Sequence, residues 1–260
     1  WAIYHCFIKL VILIKIKVNP MLDIINNGNH TLLTAVTNPL KINQDWFSPD
    51  YWRSQKAIIA EKKGRSTTWF IKYSTGTAVL RHYWRGGLVG KILSDQYLFT
   101  GLKKTRTYQE FTLLLELQKR GLSVPTPIGA QIKKAGLVYR GDLLTQEITG
   151  AQSLLEVLQH RPLAAAEISK VGETIAAFHQ QGVYHADLNI NNILFDQEQR
   201  VFIIDFDRGR LVRPYHQCLK QNINRLKRSF LKEASRNSTF YWQDRHWSKL
   251  IESYINIMSS

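Results

Sequence analysis

The chain has 260 residues, 44% of them hydrophobic, and a formal charge of +15. That length and apolar content suit one large domain or two lobes of an ordinary globular protein. The two cysteines, Cys6 and Cys218, exclude a disulfide framework and a zinc-ligand spacing, which leaves inert thiols in a reducing compartment. The charge implies an anionic partner: nucleic acid, a membrane surface or a phosphorylated substrate, with a solvated basic face as the bland alternative.

Residues 1–20 are rich in Ile, Leu and Val, with Lys9, Lys15 and Lys17 interspersed. The uncharged run among them is far too short to span a bilayer, and no small-residue cleavage site follows it. Met21 opens a soluble-looking sequence, so residues 1–20 read as upstream-translated sequence outside the working protein. A surface anchor with basic flanks is the other reading.

From Ile42 onward, strand signals alternate with turns. Ala57–Ala60, Thr67–Tyr73 and Ala78–Tyr83 are β-rich, and Lys62-Lys63-Gly64-Arg65-Ser66 forms a tight polar loop between the first two. Arg85-Gly86-Gly87-Leu88-Val89-Gly90-Lys91 follows without an assignable role. Thr105–Arg120 reads as a helix, because Tyr108, Phe111, Leu114 and Leu115 share one face; Gly121 and the prolines after it end it. Ile128–Gly136 and Leu137–Tyr139 suggest two strands around a Lys133-Lys134 turn, and Leu143–Ile148 is a further apolar run. Ser153-Leu154-Leu155-Glu156 fits a capping box. Leu163–Gln181 repeats apolar residues at helical spacing and stops at Gly182.

The most informative stretch is residues 183–207. Ile193-Leu194-Phe195 and Val201-Phe202-Ile203-Ile204 flank a turn-like Asp196–Arg200 and read as an antiparallel hairpin. Asp187 and Asn192 precede its first strand and Asp205 follows its second, so all three converge at one end of a small sheet. His185 belongs there in a supporting structural role. A carboxylate near an acceptor hydroxyl, with a second carboxylate and an amide oxygen for Mg²⁺, is a constellation for phosphoryl transfer. The pattern H-x-D-x-x-x-x-N followed by D-F-x matches the kinase catalytic loop and metal-binding strand.

That match assigns roles upstream. Gly64 lies in the loop that would cover the nucleotide phosphates, although a single Gly is weak evidence and, without the downstream motifs, a plain hairpin turn is the favoured reading. Arg81 stands where a strand cation meets the phosphates, with Lys72 on the preceding strand as the rival. Glu110, on the helix, would pair with that cation. The backbone near Glu147 and Ile148 would bond an adenine ring at the passage between lobes. After Asp207 the chain is strongly basic: residues 208–250 hold 11 Lys and Arg against 2 Asp and Glu. Leu219, Ile223, Leu226 and Phe230 lie at helical spacing with Arg225, Lys227, Arg228 and Lys232 among them. This amphipathic segment suits anionic lipid, an anionic substrate or a plain wet helix face.

The sequence resembles the bacterial lipopolysaccharide core kinases, most closely those of 3-deoxy-D-manno-octulosonic acid (Kdo). The marks are Val79-Leu80-Arg81-His82-Tyr83-Trp84-Arg85-Gly86-Gly87, Gly121-Leu122-Ser123-Val124-Pro125-Thr126-Pro127, His185-Ala186-Asp187-Leu188-Asn189-Ile190-Asn191-Asn192 and Ile204-Asp205-Phe206-Asp207-Arg208-Gly209. The resemblance runs from about Met21 to the C-terminus. It implies an α+β, two-lobed protein-kinase-like fold: a β-rich nucleotide-binding lobe over residues 21–148 and a helical catalytic lobe over residues 149–260. It implies ATP- and Mg²⁺-dependent phosphorylation of the 4-hydroxyl of Kdo on Kdo-lipid IVA, at the cytoplasmic face of the inner membrane and against its anionic surface. Asp187 would be the catalytic base or hydroxyl-orienting residue, Asn192 and Asp205 the Mg²⁺ ligands, and Arg81, paired with Glu110, the phosphate cation. Asp207 replaces the Gly of D-F-G, which disfavours a phosphoprotein substrate. The competing readings are a kinase of a heptose or another small acceptor, and a non-catalytic lipid-binding module; no motif supports nucleic acid.

Overall fold

The computed structural model describes residues 21–63, 67–84, 95–214 and 216–260. The readings made of residues 1–20, of Gly64 and of the Arg85–Lys91 stretch lie outside these described residues.

The N-terminal part is an antiparallel sheet. Its strands are β1 (Leu22–Asn27), β2 (His30–Ala35), β3 (Ile58–Lys63), β4 (Thr67–Tyr73), β5 (Gly76–His82), β6 (Tyr97–Leu98), β7 (Pro127–Ala135) and β8 (Val138–Gln146), in the spatial order β1-β2-β7-β8-β5-β4-β3, with β6 on β8. The β3-β4-β5 meander matches the three strands read from the sequence. The first two strands do not; the sequence reading begins its strands only at Ile42. The turn between β7 and β8 is also moved: Lys133 and Lys134 pair within the ladder, and Gly136 makes the turn with φ 59°. A positive φ there favours glycine over the two lysines.

Strand alternation sends neighbouring residues to opposite sides. Leu32, Leu80 and Leu144 enter one apolar cluster with Phe47 and Trp52, while Leu33 and Leu143 enter the other. The first cluster is closed by a short segment ending in helix α1 (Pro49–Ser54), which Ser48 caps by accepting from the Tyr51 N–H. The second is closed by helix α2 (Arg106–Lys119), capped by Thr105, with Phe111, Leu114 and Leu117 buried.

The C-terminal part is mainly helical, apart from short strands. After β9 (Gln152–Ser153) come α3 (Leu154–His160) and α4 (Ala165–Gln180), and the capping box at Ser153 and Glu156 is present. Then come β10 (Val183–Tyr184), β11 (Ile193–Phe195), β12 (Val201–Ile203) and β13 (Arg210–Leu211), followed by α5 (Gln217–Arg236) and α6 (Asp244–Ser259). Helix α6 packs along α4, and Gly172 makes the approach possible: a Cβ there would strike the Leu250 carbonyl oxygen. The whole is the α+β, kinase-like architecture expected, with a cleft between sheet and helices.

Candidate active site

The hairpin forms as read. Ile193 pairs with Ile203, Leu194 with Phe202 and Phe195 with Val201, all antiparallel. One step beyond the Ile193–Ile203 pair, away from the turn, the Ile204 N–H donates to the Asn192 carbonyl at 3.0 Å. Asn192 and Asp205 therefore stand side by side at the open end. Asp205 holds φ 63°, a left-handed backbone that a non-glycine residue adopts at some cost and that Lys56, Gln199 and Arg208 share.

His185 braces the loop from beneath. Its Nδ1 accepts from the Asp187 N–H at 3.1 Å, so its Nε2 carries the proton and donates to the Ile204 carbonyl at 2.9 Å. Burial lowers its pKa and keeps it neutral. Phe206 packs edge-on against this ring and is stacked parallel to Phe178 of α4. Asn222 of α5 completes the support, accepting from the His185 N–H at 3.1 Å and donating to its carbonyl at 2.6 Å. This supporting role is the one read from the sequence.

Asp187 is more open, its side chain 58% exposed. Its carbonyl accepts from Asn192 Nδ2 at 3.0 Å. That bond turns the amide nitrogen of Asn192 inward and leaves its oxygen for the cleft. The Asp187 carboxylate accepts from Arg225 Nη1 at 2.8 Å and from Asn189 Nδ2 at 3.2 Å, two partners that sequence reasoning missed.

A cleft of about 520 Å³ lies above this loop. Thr68, Phe70, Val79 and Arg81 of the sheet form its roof; Leu194, Ile204, Asn192 and Asp205 form its floor. Arg81 reaches across it. The guanidinium donates to Glu110 Oε1 and to Asp205 Oδ1, so one side chain joins the sheet, helix α2 and the loop after β12. Glu110 is buried, and its Oε2 accepts from the Tyr83 hydroxyl at 2.5 Å. Burial opposes the charge on Arg81, but the carboxylates of Glu110 and Asp205 outweigh it and raise its pKa. Burial raises the Glu110 pKa, and Arg81 works against that rise.

Lys72 is brought elsewhere. It shares a sheet face with Thr68 and Phe70 but pairs with Thr77 at the outer end of the meander, exposed and outside the cleft lining. Glu147 and Ile148 do line the cleft. The Glu147 N–H is spent on the Thr77 carbonyl at 2.9 Å. Lys62 and Glu156 also line the cleft and pair across its mouth at 3.1 Å, a contact with no local sequence signal.

Asn192 and Asp205 are suited to a magnesium–phosphate group. They offer one amide oxygen and one carboxylate at the cleft floor, and Mg²⁺ on nucleotide phosphates takes few protein ligands. Among the described residues no cluster of three or more His, Cys, Asp or Glu forms a closed metal cage.

The lipopolysaccharide kinase (Kdo/WaaP) family model matches residues 49–254. A 3-deoxy-D-manno-octulosonic acid kinase of Vibrio parahaemolyticus is 44% identical over 211 residues, covering 81% of this chain and 88% of its own. The kinase of that name from Mannheimia succiniciproducens is 38% identical over 241 residues, covering 89% and 99%. One from Haemophilus influenzae is 39% identical over 219 residues, covering 81% and 90%.

Proposed function

This chain belongs to the lipopolysaccharide kinase (Kdo/WaaP) family and is a phosphotransferase, and from that premise we propose that it transfers the γ-phosphate of ATP to the 4-hydroxyl of Kdo on Kdo-lipid IVA. The observation that carries this reading is Asn192 and Asp205 side by side at one hairpin end, with Asn192 holding the Asp187 carbonyl at 3.0 Å and Arg81, paired with Glu110, reaching Asp205.

The adenine enters beside Glu147 and Ile148, and the phosphates lie toward Arg81. A guanidinium grips phosphate oxygens in a planar fork, and Glu110 fixes its direction. Asp187, at the open rim, receives the acceptor hydroxyl, aligns it and takes its proton as the new bond forms. Its two neighbours, Arg225 and Asn189, hold the carboxylate in place for that step. Asn192 and Asp205 would hold Mg²⁺, which spreads the charge of the transferring phosphate when bound. His185 stays neutral and keeps the Asp187 backbone and the Ile204 carbonyl in register.

The acceptor is anionic, and the basic helix α5 runs from the catalytic rim. Arg225, Arg228, Lys232 and Arg236 are exposed along it at three- or four-residue spacing. We place this stripe against the anionic cytoplasmic face of the inner membrane. Among the described residues no helix is long and apolar enough to cross a membrane. The test is direct: purified protein, ATP and Mg²⁺ with Kdo-lipid IVA, the product assigned by mass spectrometry and NMR. Phosphate on the Kdo 4-hydroxyl supports the reading. Phosphate on a heptose or a small alcohol instead, or no turnover at all, rejects it.

A further inference from the structure

Asp207, where protein kinases carry glycine, is bound by a fork from helix α2. Arg106 Nε donates to Asp207 Oδ1 at 2.7 Å, and Nη2 pairs with Oδ2. Both side chains are largely buried, 19% and 21% exposed. Arg106 Nη1 also donates to the Tyr97 hydroxyl at 2.9 Å, and its guanidinium lies 5.8 Å from the Tyr83 ring centroid. Tyr83 is the residue whose hydroxyl bonds Glu110.

Arg106 and Glu110 are four residues apart on α2 and so share a face. Asp205 and Asp207 are two apart in the loop. The contacts close a ring: Asp205 to Arg81, Arg81 to Glu110, one turn of helix to Arg106, then Arg106 to Asp207. Helix α2 is therefore fastened to the loop after β12 at two points. Helix α2 is already packed on the sheet through Phe111, Leu114 and Leu117, and the two ion-pair links, one turn apart, add a fixed setting of its first turns against that loop. Nine residues separate Asp207 from α5, and the short β13 is the regular element among the described ones.

We infer that the Arg106–Asp207 pair is a built-in clamp that holds Arg81, Glu110 and Asp205 in their working arrangement without an external activating event. Both residues are positioning residues. Neither lines the cleft, and they act through Glu110 and Asp205. The inference rests on the phosphotransfer reading for its catalytic consequence, but the mechanical coupling stands apart from it.

The experiment uses the full chain with Arg106→Lys, which keeps the charge but loses the fork, and Asp207→Asn, which keeps the shape but loses the charge. Hydrogen exchange by mass spectrometry gives an arm independent of turnover. In either variant, amides of α2 and of residues 205–209 should lose protection together. Protection lost only in the substituted segment overturns the clamp. The kinetic arm follows transfer to Kdo-lipid IVA. We expect kcat to fall about tenfold and half-saturating Mg²⁺ to rise at least about threefold, with the acceptor KM within about twofold of the parent. A mere loss of folded protein lowers kcat but leaves the Mg²⁺ requirement unchanged, and that result also overturns the clamp. If the parent protein transfers nothing to Kdo, the acceptor reading fails while the exchange arm still decides this inference.

Discussion

Arg225 Nη1 donates to Asp187 Oδ1 at 2.8 Å, tying the basic helix α5 to the loop that carries Asp187. The two side chains are 46% and 58% exposed, so the pair is solvent-screened and contributes little to stability. What it fixes is direction, since Asn189 holds the other carboxylate oxygen. Arg225→Ala should leave the melting temperature within about 2 °C of the parent yet lower kcat about tenfold, with the KM for ATP nearly unchanged. Melting curves beside steady-state kinetics check this. An unaltered kcat would reduce the contact to an ordinary surface ion pair.

The choice between Arg81 and Lys72 is the sharpest site question the sequence leaves open. Arg81 spans the cleft between Glu110 and Asp205, and Lys72 is exposed at the far end of the meander. Arg81→Ala should cost at least about a hundredfold in kcat/KM, and Arg81→Lys an intermediate amount, because the planar fork is lost. Lys72→Ala should stay within about twofold, as surface substitutions do. Comparable losses at both positions would return Lys72 to the site.

How much of this site was legible follows from where its signals sit in the chain. The hairpin is local: two short apolar runs around an Asx-rich turn, with its polar ends fixed by antiparallel pairing. Helix α2 carries its own cap and apolar face, which place Glu110 without further help. Strand β1 was missed because it buries only Leu22 and leaves Ile24 and Ile25 exposed, so it shows no alternation. The turn near Lys133 was misplaced because two lysines look like a solvated turn; the structure keeps them in the ladder and bends at Gly136. Arg225, Arg106 and Lys62 find their partners only through tertiary packing. Charge alone gives a basic residue many equally good partners, and only the fold selects one.

The support beneath the loop makes stability depend on pH. His179 of α4 is buried; its Nδ1 lies 2.9 Å from the Tyr254 hydroxyl and its Nε2 lies 3.4 Å from Asn222 Oδ1. Burial lowers its pKa from 6.5 to about 4, and burial lowers that of His185 as well. With the folded value below the unfolded one, the unfolded chain binds the proton first. The stabilising contribution is complete above pH 6.5 and is lost as the pH falls toward 4. For His179 alone the loss is on the order of 3 kcal/mol. Denaturant midpoints should fall steadily across this window, and His179→Gln should flatten the slope. An unchanged slope in that variant would assign the acid sensitivity to other groups.

The stripe on α5 gives the membrane reading its test. Arg228, Lys232 and Arg236 are exposed, and so is Leu231 between them, 53% accessible. Lys227 lies over the Trp247 ring at 5.7 Å and is left unaltered, whereas Arg236 pairs with Glu233 of its own helix at 3.8 Å, its side chain 61% exposed. Each basic residue near an anionic surface contributes about 1 kcal/mol, and the attraction decays over roughly 8 Å at physiological salt. The triple variant Arg228→Glu, Lys232→Glu and Arg236→Glu should abolish cosedimentation with phosphatidylglycerol vesicles. The parent should bind them at low salt and release them at high salt. Among the described residues none of the three has a hydrogen bond or ion pair to the loop that carries Asp187, so transfer to a water-soluble Kdo acceptor should persist in the variant while turnover of vesicle-borne Kdo-lipid IVA falls. Equal loss on both acceptors would place these cations in the acceptor site itself, and undiminished vesicle binding would move the membrane-facing surface to another part of the protein.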